Sequence, residues 1–195
     1  MARMILKHGK VSRREGHHTH IKAVKITSKR NYGPGQHGQA RKPKPSNFSL
    51  QLREKQKIKR IYGVLEKQFK SYAEKASKRA GVAGENLLID LELRLDNVVF
   101  RTNLFRSRQQ ARQAVSHKHV LLNGKKVNIP SLKIKVGDKI VVSKNLEKIF
   151  ESDSKKELVP WLSLAKDSYE VISLPTRNDI EPGIEEQLVI EYYSK

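Results

Sequence analysis

The chain has 195 residues, with 40 lysines and arginines against 20 aspartates and glutamates, a formal net charge of +20. A compact protein with that excess repels itself and is suited to a polyanion, whose condensed counterions are released on binding. A mean hydropathy of −0.64, with no apolar run near the roughly 20 residues that span a bilayer, argues against a membrane protein, and the absence of cysteine excludes disulfides and thiolate metal sites.

The charge is unevenly placed. Residues 1–46 carry 12 basic and 1 acidic side chain, and residues 93–148 carry 13 and 3. Residues 47–92 carry 10 and 6, and residues 149–195 carry 5 and 10. Two basic segments and an acidic tail predict a positioned footprint rather than general adhesion. The opening Met1-Ala2-Arg3-Met4-Ile5-Leu6-Lys7 has no apolar signal core, which predicts a chain that stays in the compartment of its synthesis.

Residues 1–46 show sparse apolar residues and no sustained period. Pro34-Gly35-Gln36-His37-Gly38 reads as a turn-rich loop, and Lys42-Pro43-Lys44-Pro45 as an extended path. The prediction is a basic arm that becomes ordered on its partner. From Ser46 the pattern turns helical. Ser46 caps a helix to about Tyr62, with Leu50, Leu52, Ile58 and Ile61 as its apolar residues. Gly63 interrupts, and a second helix carries Leu65, Phe69, Tyr72, Ala73, Ala76 and Ala80. Gly81 and Gly84 end it, and a third helix carries Leu87, Leu88, Leu91, Leu95, Val98 and Val99.

Ser107 opens a fourth helix, and Gln110 completes a capping box. Ala111, Ala114 and Val115 form its apolar stripe, while Arg108, Arg112 and Ser116 fall on another line and are expected to point away together. After His119 the period becomes two. Val120-Leu121-Leu122, Asn123-Gly124 and Lys125-Lys126-Val127 read as a hairpin, because both turn positions need positive φ. Leu132, Ile134 and Val136 alternate with Lys133 and Lys135. Gly137-Asp138 turns, and Ile140-Val141-Val142 follows, which predicts a small antiparallel sheet with lysines on one face. Glu151 to Glu157 is a charged connector. Trp161 and Leu162 can anchor to a core, Tyr169 to Ile172 reads as a strand, and Leu188 to Tyr193 fits helix and strand equally.

These elements, in this order, carry a resemblance. Residues 91–142 closely resemble the RNA-binding domain named after the fourth small-subunit ribosomal protein. Ser12-Arg13-Arg14, Pro34-Gly35-Gln36-His37-Gly38, Gln51-Leu52-Arg53-Glu54-Lys55-Gln56-Lys57, Tyr62-Gly63-Val64-Leu65-Glu66 and the closing Leu188-Val189-Ile190-Glu191-Tyr192-Tyr193-Ser194-Lys195 extend the likeness to the bacterial form of that ribosomal protein family. The fold it implies is α+β. A basic arm (1–46) precedes a helical domain (47–91 with 176–195), into which an RNA-binding module (92–175) of helices on a small antiparallel sheet is inserted.

The resemblance implies a structural, non-enzymatic role on the ribosome in the cytoplasm, an organelle remaining open. The family binds small-subunit rRNA early, at a multi-helix junction, and nucleates assembly of the subunit body. It neighbours other small-subunit proteins, the fifth among them, and some members repress their own mRNA. Arg41 and Lys44 match family positions facing incoming mRNA, and His37 matches one buried against RNA. No membrane, DNA or cofactor is implied.

RNA helices are read through phosphate, 2′-hydroxyl and shape, so cations fixed by helix and sheet are the expected contacts. Arg108 and Arg112 lead, followed by Lys118, Lys125 and Lys126, and on the linker helix Arg53, Lys55, Lys57, Lys59 and Arg60. Arg3, Arg13, Arg14, Gln36, Tyr62, Arg106, His117 and Asn123 complete the set. Any single basic residue on a helix is as often a solvated face as a contact.

Two motifs suggest other chemistries. Arg94-Leu95-Asp96 matches an Arg-Leu-Asp step found in pseudouridine synthases that carry the same module. Here it lies within a helical apolar pattern, with no separate catalytic domain, which assigns Asp96 a structural role. His8, His17, His18 and His20 suggest zinc, which some relatives hold with arm cysteines; without cysteine no metal is expected. General DNA binding is the third reading, separable by competition between duplex DNA and structured RNA.

Overall fold

The computed structural model describes residues 7–41, 44–143, 158–165 and 167–194. The chain divides into two units, residues 1–87 with 182–195, and residues 88–181. In chain order the described elements are helices α1 (His8–Glu15), α2 (Ile21–Lys29), α3 (Asn47–Ile61), α4 (Glu66–Lys78), α5 (Ala83–Glu92), α6 (Leu95–Arg101) and α7 (Arg108–Ser116), strands β1 (Val120–Leu122), β2 (Lys125–Val127), β3 (Lys139–Val142), β4 (Leu162–Ala165) and β5 (Ser168–Val171), a 3-10 turn (Arg177–Asp179) and helix α8 (Glu186–Tyr193).

The first unit is helical. Its α1 and α2 lie where the sequence predicts an arm without regular elements. α1 is polar and has no side-chain cap, so nothing local announces it. It is held from far along the chain: the Glu15 carboxylate, with no side-chain exposure, pairs with Arg53 at 3.1 Å and with Arg60. α3 begins as predicted, with the Ser46 hydroxyl accepting from the Ser49 amide at 3.3 Å. Gly63 turns the chain at φ 64°, and α4 buries Phe69, Ala73 and Ala76 of the predicted stripe, with Leu65 and Tyr72 half-buried and Ala80 exposed beyond the helix end.

Gly84 does not end α4. It sits near the start of α5, where a Cβ would come within 2.6 Å of Glu186 Cγ on α8. That glycine therefore permits close approach of the C-terminal helix. Residues 188–193, ambiguous in sequence, are helical because they pack on α3 and α4. The entry to α8 is clamped by Lys57, which donates to the Gly183 carbonyl at 3.0 Å and pairs with Glu54. Further along, Gln51 Nε2 donates to Glu191 Oε2 at 3.0 Å.

In the second unit the predicted third helix is broken at Leu93–Arg94. Arg94 is extended, with ψ 137°, and forms an isolated antiparallel bridge with Lys133. The Ile134 amide donates to the Leu93 carbonyl at 2.9 Å, and the Leu95 and Asp96 amides donate to the Leu132 and Pro130 carbonyls at 2.9 and 3.1 Å. The first amides of a helix lack partners within it, and here a distant extended segment supplies them. For the same reason residues 132–136, predicted as a sheet strand, run beside this break and join no strand of the sheet. Arg94-Leu95-Asp96 thus sits at a helix restart, not within a helix.

α7 starts at Ser107, whose hydroxyl accepts from the Gln110 amide at 3.3 Å. The predicted capping box is only half formed, since Gln110 Oε1 is buried without a hydrogen-bond partner. The antiparallel sheet runs β2-β1-β3-β5-β4. The predicted hairpin pairs Val120 with Val127 and Leu122 with Lys125, with Asn123 and Gly124 at φ 49° and 80°. β5 falls on the predicted stretch, whereas β4 was not predicted. α6 and α7 pack on the sheet through Leu95, Val98, Val99, Ala111 and Val115, which meet Val120, Ile134, Ile140, Trp161 and Val171 in one core. The connector Glu151–Glu157 lies outside the described residues.

Candidate nucleic-acid interface

In the first unit the Pro-Gly loop is built on Arg13. Its Nε donates to the Tyr32 carbonyl at 2.8 Å and its NH2 to the Gly33 carbonyl at 3.0 Å. Gln36 and His37 stand exposed at the tip, and Arg14, Arg41 and Lys44 are exposed as well. Arg3 lies outside the described residues. Arg13, expected on RNA, therefore has much of its guanidinium occupied by backbone.

The cations of α3 are also largely engaged. Arg53 and Arg60 share Glu15, and Lys55 and Lys59 share Glu66, each at 2.8 Å. Lys55 is only 4% exposed, with its amine 4.4 Å from the Tyr192 ring centroid, and Tyr62 is buried at 4%. Lys55 and Tyr62 are thus buried side chains rather than surface ones, and over Lys55 the cover includes Tyr192 of α8. Arg53, Arg60, Lys57 and Lys59 keep part of their surface.

The two carboxylates respond oppositely to this setting. Burial pushes Glu15 up, against the pull of the Arg53 and Arg60 guanidinium groups. Its Oε2 is buried without a hydrogen-bond partner, so desolvation is not fully compensated. Partial burial also disfavours the charged form of Glu66, but hydrogen bonds from Lys55, Lys59 and Tyr193 outweigh it and hold the carboxyl at about 2. The Tyr193 hydroxyl is pushed up in turn, by burial and by that same hydrogen bond.

The second unit revises the leading candidates. Arg108 and Arg112 lie on one line of α7 as predicted, but they turn inward. Arg112 NH1 donates to Asp96 Oδ2 at 2.6 Å, and Arg94 closes on the same carboxylate at 3.1 and 2.9 Å. Arg108 Nε donates to Asn97 Oδ1 at 2.8 Å, its NH2 pairs with Glu181 at 2.7 Å, and its guanidinium covers the Phe100 ring at 4.6 Å. Behind them Arg101 grips Glu92 at 3.0 and 2.7 Å. Buried carboxylates tolerate such sites only when paired and hydrogen-bonded. Asp96 is thus committed to two arginines, the structural role assigned from sequence.

The outward-facing basic side chains are others. Arg106, His117, Lys118, Lys125 and Lys126 are exposed, as are His119, Lys135 and Lys139, which the candidate set omitted. Lys118 is left-handed at φ 63°, and its amide donates to the Val115 carbonyl at 2.9 Å, while that of His119 donates to Ala114 at 3.0 Å. This closes α7 in the manner usually given to glycine, and it throws a lysine outward between His117 and His119, whose rings stack at 6.2 Å. Asn123 is exposed but engaged: its Nδ2 donates to Asp138 Oδ1 at 2.8 Å and its Oδ1 accepts from the Lys139 amide at 2.9 Å. The lysine-bearing hairpin is therefore tied at its turn to Asp138 and Lys139. Of the omitted residues, Lys135 had a sequence signal, its alternation with Ile134 and Val136, although that stretch joins no strand of the sheet.

Among the described residues no group of three or more His, Cys, Asp or Glu side chains is placed to hold a metal. His8 and His20 meet ring to ring at 4.3 Å. No described helix is long and apolar enough to cross a membrane.

A helical pair laid on a small antiparallel sheet, with cations at the helix end and hairpin tip, is the architecture of an S4-type RNA-binding domain. The S4 domain family model matches residues 93–140, and the ribosomal protein S4/S9 N-terminal domain model matches residues 3–92. Relatives described as small ribosomal subunit protein uS4 match across the chain. That of Clostridium tetani is 48% identical over 208 aligned positions, covering 100% of both chains. That of Geobacter metallireducens is 52% identical over 175, covering 86% of this chain and 84% of the relative. That of Chlorobium limicola is 49% identical over 194, covering 95% and 96%. The chain belongs to the bacterial-type uS4 family, whose members are structural proteins of the small ribosomal subunit.

Proposed function

We propose that this chain binds small-subunit rRNA directly, engaging early in assembly and nucleating the subunit body. The observation that carries the reading is the pairing of a net charge of +20 with exposed basic and polar side chains on hydrogen-bonded elements: the cations Lys118, Lys125 and Lys126 around the hairpin, and Arg41 with the polar Gln36 and His37 around the Pro-Gly loop. Preset cations lose little entropy on meeting phosphate, which favours a structured RNA over a flexible polyanion. In this reading residues 1–46 act as the arm, 47–91 with 176–195 as the helical domain, and 92–175 as the inserted module. Arg41 and Lys44 line the mRNA path, the fifth small-subunit protein is a neighbour, and the chain works ribosome-bound in the cytoplasm. Repression of its own mRNA follows the same chemistry, should that mRNA present a similar junction.

The test is binding of the full chain to cognate small-subunit rRNA and to random duplex RNA across a salt series. Preference for the cognate RNA at physiological salt, with affinity falling steeply as salt rises, is the expected result. Equal affinity for both RNAs would overturn it.

A further inference from the structure

We propose that Arg13 is a positioning residue for RNA binding: it holds the loop of residues 32–40 in the shape that presents Gln36 and His37, rather than contacting phosphate itself. The inference rests on the RNA-binding reading above and deepens it.

A guanidinium offers five donors in a flat fork and accepts nothing. In Arg13 that fork spans two consecutive backbone carbonyls, of Tyr32 at 2.8 Å and of Gly33 at 3.0 Å. Its flat face lies on the Tyr32 ring, with Cζ 4.6 Å from the centroid. One cation thus fixes the backbone where the chain enters the loop, 19 and 20 residues further on. The far limb closes on the same place. The Gly38 amide donates to the Gly35 carbonyl, and that of Ala40 to His37, each at 3.2 Å. A Cβ on Gly38 would lie 2.0 Å from the Gly33 carbonyl oxygen, so only glycine lets the two limbs meet. Gly33 is buried at the base of the loop, while Gln36 and His37 are exposed at its tip.

A segment with glycines at 33, 35 and 38 has many unfolded shapes, and ordering it on RNA would subtract from affinity. The Arg13 fork removes that cost before RNA arrives. Lysine would keep the charge, but as a point donor on a flexible stem it cannot bridge two carbonyls while lying flat on an aromatic ring. Charge and positioning can therefore be separated by experiment.

The full chain is titrated with cognate small-subunit rRNA over several salt concentrations, with backbone-cleavage footprinting of the RNA. Arg13→Lys and Gly38→Ala are each expected to weaken binding roughly tenfold, as loss of a preorganised loop would. The salt slope should stay unchanged for both. Lost protections should be confined to the nucleotides that His37→Ala exposes. Wild-type affinity in Arg13→Lys, with Arg13→Ala weaker and its slope reduced by about one phosphate, would make Arg13 a phosphate contact and overturn the proposal. Wild-type affinity in Gly38→Ala, which leaves the guanidinium atoms in place, would overturn it too, as would loss of protection across the whole footprint. If the unaltered chain shows no preference for cognate RNA, the functional reading itself has failed; if it binds and the variants match it, only this inference falls.

Discussion

Asp96→Ala tests whether the arginines of the second unit are internal braces. The Asp96 carboxylate receives two hydrogen bonds from Arg94 and one from Arg112, at 3.1, 2.9 and 2.6 Å. Side-chain exposure is 1% for Arg94, 6% for Asp96 and 15% for Arg112. Deleting the anion removes the carboxylate that two largely buried guanidinium groups share, and breaking a buried pair this way costs about 3–5 kcal/mol. That is a large share of the roughly 5–15 kcal/mol of a typical domain. With a urea slope of about 2 kcal/mol/M, the midpoint should fall by about 2 M. The chain has a single tryptophan, Trp161, 1% exposed in the core of this unit, so its fluorescence reports the transition directly. The control is Glu170→Gln, whose partner Lys139 is 3.8 Å away and half exposed; such a pair contributes about 0–1 kcal/mol. Equal midpoints for the two variants would refute the brace. Adding Arg112→Met to Asp96→Ala should restore part of the loss, because the stranded cation is removed.

Other outcomes follow from the same geometry. Lys118→Gly should raise stability by about 1 kcal/mol, since the left-handed position is unfavourable for lysine, yet weaken RNA binding; urea unfolding and RNA titration measure the two effects. Lys125→Ala with Lys126→Ala should lower the salt slope of RNA binding by roughly 1.5 while leaving the Trp161 transition in place. Gly84→Ala should destabilise the first unit by about 1–3 kcal/mol through its clash with Glu186, read as earlier proteolytic release of the C-terminal helix. Glu66 is held down, at about 2 against an ordinary 4.5, so its contribution is complete above pH 4.5 and is lost as pH falls toward 2. Glu66→Gln should therefore be less stable than the unaltered chain at neutral pH and converge with it in acid, by circular dichroism melts.

Features set by neighbours in sequence were legible. Ser46 and Ser107 announce their helices because a cap is made within three residues. Asn123-Gly124 announces the hairpin because the turn itself demands positive φ. What sequence could not supply was the partner across the fold. Leu93–Arg94 breaks a helical pattern only because residues 130–134 lie alongside. α1 is invisible in its own period because Glu15 is anchored 38 and 45 residues away. β4 is four residues of weak pattern whose pairing is all with β5. The same limit governs the site. Spacing placed Arg108 and Arg112 on one helix line, but their direction depends on Asp96, Asn97 and Glu181, which no window around residue 110 contains. The exposed loop and hairpin residues were legible, since turns keep polar side chains at the surface whatever packs beneath.

The first unit is assembled from both ends of the chain, residues 1–87 and 182–195, and the second from one uninterrupted stretch. Synthesis runs from the N-terminus, so the second unit has all its residues before α8 exists. Until residues 191–193 are made, Lys55 lacks the Tyr192 ring, Gln51 lacks Glu191, and Glu66 lacks the Tyr193 hydroxyl. A product that stops short of residue 182 keeps the whole module and is missing the piece that seals α3. Completion of the helical unit thus waits on residues made after the whole second unit.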